Sequence, residues 1–459
     1  MRRPALVLMA GLFLFTQSAL PYILHLTSSG APIKRPDYAN VQMYLNQDFA
    51  PGFTNSDGNV VITQDSDVMG ALNAAIAAWN SIPTTAAQFA PIQTTAQPNG
   101  PNVIVMSDTP AIRSMLGPAL FALTTLTVSG TTVLNSQIVF NPVLAFSSTG
   151  APNTHDLQAT FTKQLGNALG LANSGVIGAS LFIFSGNDET HERNLSPDDV
   201  AGVSGLYPAS GSSVYGTLGG ALTLNGSPLR NALVSAVDTG SGTALATLTS
   251  PIDGTWSMAA PAGNYLVYAQ PLVTDPNSQF GQVIVPYYVG VSQSNQIDTN
   301  FQGTFIGGDG SGTTVPVNPG ASSDASFSPD PPNGNAPTSL LLVNAVPVGA
   351  AAPSTVSVTP APVTLVSGQP YDILIQGIGI DSTINDSNIQ IIGPLVLRTG
   401  STNADKGFPL NFNGVNYPIV RFTVDIPPVN AQSYATLIVT NNGNFASYTG
   451  GIVILPPTQ

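Results

Sequence analysis

Short apolar stretches separated by turn-forming residues dominate the chain, and only a few segments place apolar residues at helical spacing. The segment 66–82 predicts a helix, because apolar side chains recur every three or four residues before Pro83. These side chains are Val68, Leu72, Ala75, Ile76 and Trp79. Segments 41–46, 102–108 and 137–142 are short and largely apolar, so they predict strands on either side of that helix.

Two more helices are predicted downstream. Segment 156–176, DLQATFTKQLGNALGLANSGV, can direct its leucines and Ala168 to one face, as an ordinary core helix would. Segment 195–207, LSPDDVAGVSGLY, carries helix-start signals. These are Ser196 as N-cap, Pro197 at the first helical position, and Asp198 and Asp199 in the first turn.

Residues 163–173 read KQLGNALGLAN and are similar to the metzincin pattern H-E-x-x-H-x-x-G-x-x-H, with Gly170 in the place of the glycine. Segments 156–158 and 195–207 resemble the flanks found in the matrixin branch of that family. The resemblance implies an α+β matrixin-like peptidase domain over 36–209. It places the family's zinc ligands at Lys163, Asn167 and Asn173, its general base at Gln164, and the Met-turn methionine at Leu181.

The residues at these positions lack the chemistry that the family uses. A protonated Lys163 offers zinc no lone pair. Asn167 and Asn173 offer only amide oxygens, which suit hard cations better, and Gln164 cannot accept a proton from a metal-bound water. The sequence therefore predicts no catalytic residue, no metal ligand and no cofactor. The alternatives are an active secreted zinc metalloendopeptidase, with zinc as its cofactor, and a chance match by a core helix.

Three histidines occur in the chain: His25, His155 and His191. They lie away from the expected helix face, so we expect no three-histidine zinc site. The acidic run 188–192, DETHE, predicts a solvated loop, and a weak Ca²⁺ site is the alternative because clustered oxygen ligands suit that ion.

The first 20 residues have the form of a secretory signal peptide. Two arginines precede an apolar run over 5–15, which is too short for an ordinary membrane span, and Ala19 marks the expected cleavage region. An uncleaved N-terminal anchor is the alternative. We therefore expect a secreted or cell-envelope protein without a membrane span after cleavage.

Composition agrees with export and limits the partners. The net charge of −13, from 24 acidic and 11 basic residues, disfavours nucleic acid and anionic membranes. Because cysteine is absent, packed cores must supply the stability without disulfides. Forty-five glycines and 39 prolines favour turn-rich β structure.

Two all-β sandwich domains are predicted after the first domain. Segment 214–302 contains an Asn225-Gly226 hairpin signal and a strand pair around 261–264, and it resembles a carboxypeptidase regulatory-like, transthyretin-like domain. Residues 303–338 predict a Gly/Ser/Pro linker. Segment 339–459 resembles an immunoglobulin-type IPT/TIG domain, with an Asn-Asn-Gly turn from Asn441.

Together these features predict a multidomain, secreted matrixin-like pseudo-metallopeptidase that binds a partner or has a structural role. An exposed strand edge of the first domain would suit an extended peptide, and a cell-surface protein is the other partner considered. Purely structural spacer domains would give the same sequence pattern.

Overall fold

A computed structural model describes residues 23–27, 30–118, 120–185, 189–211, 214–272, 297–308, 313–332, 341–351, 360–412 and 415–457. The chain is mostly β, with 40% strand and 14% helix, arranged in several sheets. No helix in these ranges is long and apolar enough to cross a membrane. The predicted signal peptide, 1–20, lies outside the described residues.

The first part of the chain, up to residue 211, forms an α/β unit that we call the N-terminal unit. Its strands are β1 (Tyr44–Asn46), β2 (Gln93–Thr95), β3 (Val103–Met106), β4 (Ala122–Ser129), β5 (Thr132–Phe140), β6 (Phe146–Ser147) and β7 (His155–Asp156). Its helices are α1 (Val68–Asn80), α2 (Pro110–Leu116), α3 (Leu157–Ala168) and α4 (Pro197–Leu206), with 3-10 helices at Tyr38–Asn40 and Glu189–Arg193.

Five of these strands form one sheet in the order β2-β1-β3-β5-β4. The first four are parallel, and β4 is antiparallel to β5 at the edge. One hydrophobic core joins the sheet to α1 and α3. The predicted helix over 66–82 is confirmed as α1, whose N-cap Asp67 accepts from the Gly70 main-chain N–H at 2.8 Å.

Helix α3 is the buried centre of this unit. It crosses α1 closely, because Gly166 carries no side chain and leaves room for Trp79. A Cβ atom at residue 166 would lie 2.6 Å from the Trp79 ring and 2.7 Å from Leu181. The Trp79 indole N–H donates to the main-chain oxygen of Thr162 at 2.9 Å, which satisfies the buried ring nitrogen.

The described residues between 214 and 332 form the middle sandwich. Its strands are β8 (Tyr215–Ala221), β9 (Thr223–Leu224), β10 (Ser227–Pro228), β11 (Leu233–Asp238), β12 (Ala244–Leu248), β13 (Thr255–Pro261), β14 (Gly263–Gln270), β15 (Thr304–Phe305), β16 (Thr314–Val317) and β17 (Ser322–Asp324). One sheet has the order β13-β8-β17, the other has the order β12-β11-β14-β15, and β16 also pairs with β14. Both sheets contribute to a shared apolar core. Asn225 and Gly226 have φ values of 52° and 80°, as the predicted tight turn requires.

The predicted linker over 303–338 is wrong for residues 304–308 and 313–324, which belong to the middle sandwich. Strand β16 pairs with β14, and β17 pairs with β8. Val315 and Val317 are buried in its core. Strands β15 and β16 bury two side chains each and β17 buries none, so Gly, Ser and Pro dominate the composition of this segment. Residues 333–338 lie outside the described part of the chain.

The described residues between 341 and 457 form the C-terminal sandwich. Its strands are β18 (Leu342–Pro347), β19 (Val363–Val366), β20 (Tyr371–Gln376), β21 (Ile389–Ile392), β22 (Val396–Leu397), β23 (Asn403–Phe412), β24 (Val415–Asp425), β25 (Ser433–Asn441) and β26 (Asn444–Leu455), and a 3-10 helix lies at Asp386–Asn388. One sheet has the order β18-β20-β24-β22 with β23 also on β24, and the other has the order β19-β26-β25-β21. The predicted Asn-Asn-Gly turn joins β25 to β26, with positive φ at Asn442 and Gly443.

Candidate functional site

The four positions that the matrixin resemblance singles out lie on α3 and just after it. Lys163, Gln164 and Asn167 are on the helix, and Asn173 follows the turn at Gly170. Gly170 has φ of 102°, and a Cβ there would lie 2.8 Å from the main-chain oxygen of Ile33. The chain therefore turns at this glycine.

Lys163 is buried, and its ammonium is held by main-chain carbonyls. The Nζ atom donates to the carbonyl oxygen of Phe182 and to that of Ile183 at 3.3 Å. Both acceptors belong to the segment 174–185, which we call the α3 loop. The side chain at the position that the resemblance gives to the first ligand thus fixes this loop to α3 through two hydrogen bonds.

Burial and the nearby carboxyl groups have opposite effects on the pKa of Lys163. Burial lowers the pKa of Lys163, while the negative charges of Glu192 and Glu189 act in the opposite direction. Burial also raises the pKa of Glu192 to about 8, although Lys163 lowers it. Glu192 Oε2 accepts from the Ser185 hydroxyl at 3.1 Å, whereas Oε1 has no hydrogen-bond partner within the described ranges. Lys163 and Glu192 therefore act on each other through charge rather than through a hydrogen bond.

Gln164 links α3 to the edge strand of the sheet. Its Oε1 atom accepts a hydrogen bond from the Thr124 hydroxyl on β4 at 2.8 Å, and Thr124 also lies 3.1 Å from the Gln164 main-chain oxygen. An amide in this position can orient a strand, but it has no basic group that could take a proton from water.

Asn167 and Asn173 are half-buried. The Oδ1 atom of Asn167 is buried without a hydrogen-bond partner among the residues that the structure describes. No hydrogen bond joins Lys163, Asn167 and Asn173 within the same set of residues. An ammonium and two amides do not fit a three-ligand zinc site, because zinc needs imidazole, thiolate or carboxylate donors. In the described ranges, no group of three His, Cys, Asp or Glu side chains could hold a metal ion.

Leu181 lies directly beneath α3, where the resemblance places the Met-turn. It is fully buried in the core of the N-terminal unit, next to Gly166. Its main-chain oxygen accepts from Ser174 N at 3.1 Å, which closes the α3 loop on itself. Leucine can fill this site because its volume and polarity resemble those of methionine.

The α3 loop also forms the contact with both sandwiches. Ile177 and Phe182 belong to the hydrophobic core of the C-terminal sandwich, and Val176 and Ala179 lie in a cluster shared with the middle sandwich. The Ile177 N–H donates to the Thr449 carbonyl at 3.0 Å. A side chain at Gly178 would collide with the Gly450 carbonyl, so the two main chains approach closely.

A buried carboxylate on α4 makes a second contact between units. Asp198 accepts from the Ser174 hydroxyl at 2.5 Å and from the Ala246 N–H of β12 at 3.0 Å. Burial raises the pKa of Asp198 to about 8, against the effect of the Ser174 hydrogen bond. The sequence indicated only a helix-start role for this residue, since its partners are distant along the chain. Its neighbour Asp199 completes the predicted N-terminal cap in a capping box with Ser196.

The three histidines make different contacts. His155 Nδ1 is 2.6 Å from Glu189 Oε1, and its ring stacks on Phe121 at 3.9 Å. His191 is buried, with its Nδ1 3.5 Å from the Thr364 hydroxyl of the C-terminal sandwich. The main-chain N–H of His25 donates to the Gly170 carbonyl at 3.3 Å.

The prediction of a solvated loop at 188–192 is wrong for His191 and Glu192, which are both 2% exposed. This part of the chain is a 3-10 helix between α3 and the C-terminal sandwich. Glu189 binds His155 and the Asp156 N–H, so its oxygens and those of Glu192 have different partners. That geometry does not favour the calcium alternative for these two carboxylates, and Asp188 lies outside the described residues.

No family model matches the sequence, and a search of curated proteins finds none that matches it.

Proposed function

We propose that this chain is a secreted, matrixin-like pseudo-metallopeptidase whose N-terminal unit has a non-catalytic structural or binding role. The observation that carries the proposal is the placement of Lys163. An ammonium hydrogen-bonded to the Phe182 and Ile183 carbonyls stands where the resemblance expects a zinc ligand. The positive charge repels a metal cation, and it stabilises the loop without one.

The order of elements supports the matrixin part of the proposal. The N-terminal unit has a strand, a helix, further strands, the central helix α3 and the closing helix α4. The left-handed turn at Gly170 and the cap at Ser196 both lie where the resemblance expects them.

The contacts of the α3 loop support the structural part. In an active peptidase of this type the segment after the central helix would support a metal site. Here the same segment supplies Ile177 and Phe182 to the core of another unit. We propose that the domain has kept its fold because the sandwiches dock on it.

Zinc calorimetry on three forms of the mature protein tests this proposal. The wild-type protein should show no stoichiometric zinc binding. The variant Lys163→His/Gln164→Glu/Asn167→His/Asn173→His should bind zinc, because it restores the donor set that the scaffold is proposed to have lost. A variant with the last three changes but with Lys163 retained is the matched control and should bind poorly. Stoichiometric zinc on the wild-type protein would favour the active metallopeptidase instead.

A second candidate role, capture of an extended peptide, is favoured by the position of β4. This strand is at the edge of the five-stranded sheet, and Thr125, Thr127 and Ser129 on it are exposed. In the described ranges no strand pairs with its outer edge, so its main-chain groups could extend the sheet by one strand. Amide shifts measured with a peptide library should then change along 122–129. Changes confined to other strands would exclude this role.

A further inference from the structure

A cavity of about 390 Å³ lies where the three units meet. The segment before α4 contributes Asn194, the middle sandwich contributes Tyr215 and Thr243, and the C-terminal sandwich contributes Gln432 and Tyr434. Its volume is within the range of about 300–1,000 Å³ that is usual for small-molecule sites. The cavity lies outside the positions that the matrixin resemblance singles out, so a ligand bound in it would be independent of the proposed function.

The chemistry of its wall is neutral throughout. None of its lining residues is Asp, Glu, Lys, Arg or His. Besides the polar residues named above, its polar members are Ser241 and Ser433, and all of them carry hydroxyl or amide groups. The remaining surface is apolar and includes Pro197 and Pro261. A neutral wall cannot offset the free-energy cost of removing water from an ionic ligand. A purely apolar ligand would leave the hydroxyl and amide groups of the wall without hydrogen-bond partners.

Hydrogen bonds order the polar groups of the wall, and one of them connects two units. Asn194 Nδ2 donates to Gln432 Oε1 at 3.1 Å, and Gln432 Nε2 donates to the Tyr434 hydroxyl at 2.7 Å. This leaves the Asn194 Oδ1 atom as an acceptor and the Tyr434 O–H as a donor for a ligand. Burial raises the pKa of Tyr434, so its hydroxyl stays protonated at neutral pH.

We propose that this cavity binds a neutral saccharide of one or two sugar rings. Sugar hydroxyls both donate and accept, so they match a wall that offers the Tyr434 O–H and the Asn194 amide oxygen. The C–H face of a sugar ring can pack against the Tyr215 ring and the neighbouring prolines. Because all three units contribute to the wall, binding would also hold the units together.

Saturation-transfer NMR on the full mature protein tests the proposal, with maltose, cellobiose and N,N′-diacetylchitobiose as separate probes. We expect transfer to the ring protons of at least one of them. Tyr434→Phe removes the donor and should weaken that binding by about three- to ten-fold. Tyr417→Phe, on β24 and outside the cavity wall, is the matched control and should bind like the wild type.

Thr243→Trp fills the cavity and should abolish transfer while the thermal unfolding midpoint stays close to that of the wild type. If this variant fails to fold, the Tyr434→Phe and Tyr417→Phe pair still decides the question. The proposal is wrong if no disaccharide shows transfer, or if both tyrosine variants bind with equal affinity. Binding of a neutral peptide without any sugar would overturn the ligand class.

Discussion

The ammonium of Lys163 donates a hydrogen bond to the main-chain carbonyl of Phe182, whose ring is buried in the core of the C-terminal sandwich. Phe182 thus accepts a hydrogen bond from α3 through its main chain, and its side chain packs in the core of the C-terminal sandwich. In the proposed account this link replaces the stabilisation that a bound metal would give to the loop after α3.

Removing the ammonium should destabilise the protein. In Lys163→Met the buried Phe182 carbonyl loses its donor, and Glu192 loses a nearby positive charge. The free energy of unfolding should therefore fall by about 2 kcal/mol. Lys34→Met is the matched control, because Lys34 is a half-buried lysine of the same unit, and its effect should be small. Urea unfolding measures both variants. Equal stability of Lys163→Met and the wild type would contradict a stabilising role for this bond.

The contact between the α3 loop and the C-terminal sandwich should depend on Gly178. In Gly178→Ala the new methyl group meets the Gly450 carbonyl and lies about 3.0 Å from Val453, so the two main chains must separate. We expect the free energy of unfolding to fall by about 1–3 kcal/mol, as at other overpacked sites. Gly100→Ala places its methyl group 3.7 Å or more from its neighbours and serves as the control. Differential scanning calorimetry measures the unfolding midpoint of both variants. Equal midpoints for Gly178→Ala and Gly100→Ala would count against this contact.

Stability should fall as pH rises between about 3.8 and about 8 because of Asp198, whose pKa burial raises to about 8. Within this window the unfolded carboxyl is ionised while the folded one keeps its proton, so the folded state binds more protons and loses stability with increasing pH. Asp198→Asn keeps an acceptor for the Ala246 N–H, so it should remove this decline. At pH 8 the free energy of unfolding of Asp198→Asn should exceed that of the wild type by at least about 1 kcal/mol.

Chemical denaturation at a series of pH values measures this effect. Asp48→Asn changes an exposed carboxylate of the same unit and should leave the pH profile unaltered. An unchanged slope in Asp198→Asn would show that Asp198 is ionised in the folded protein.

Processing of the N-terminus should stop short of Ile23. Ile23 and Leu24 are buried, the Ala172 N–H donates to the Ile23 carbonyl at 2.9 Å, and Leu24 forms a bridge with Leu171. Removal of these residues would expose the core beside α3. For the secreted form that we propose, mass spectrometry should therefore find a first residue close to 20. A mature chain that starts after residue 26 would contradict this expectation.

The sequence predicted those elements whose signals are local. Helix α1 falls within the predicted segment because its apolar spacing and Pro83 define it, and the cap of α4 follows from Ser196 and Asp199. The Asn-Gly turns were predicted for the same reason, since positive φ angles require particular residues. These features depend on neighbours within a few positions, where sequence patterns are informative.

Contacts between distant segments were not predictable in this way. The strand pair expected around 261–264 is wrong, because β13 pairs with β8 while β14 pairs with β11 in the other sheet. The burial of His191 and Glu192 depends on the C-terminal sandwich, far along the chain. The residue types at the candidate site can be read from the sequence. The carbonyl partners of Lys163 cannot, because they depend on how the α3 loop folds against the helix.

The most direct test of the central claim is a peptidase assay on the mature wild-type protein with zinc supplied, using casein and a peptide library as substrates and a chelator-treated sample in parallel. The account predicts no cleavage above the chelated sample, because neither a metal-binding donor set nor a general base is present on α3. Cleavage that requires zinc, stops with the chelator and is lost in Gln164→Ala would contradict it.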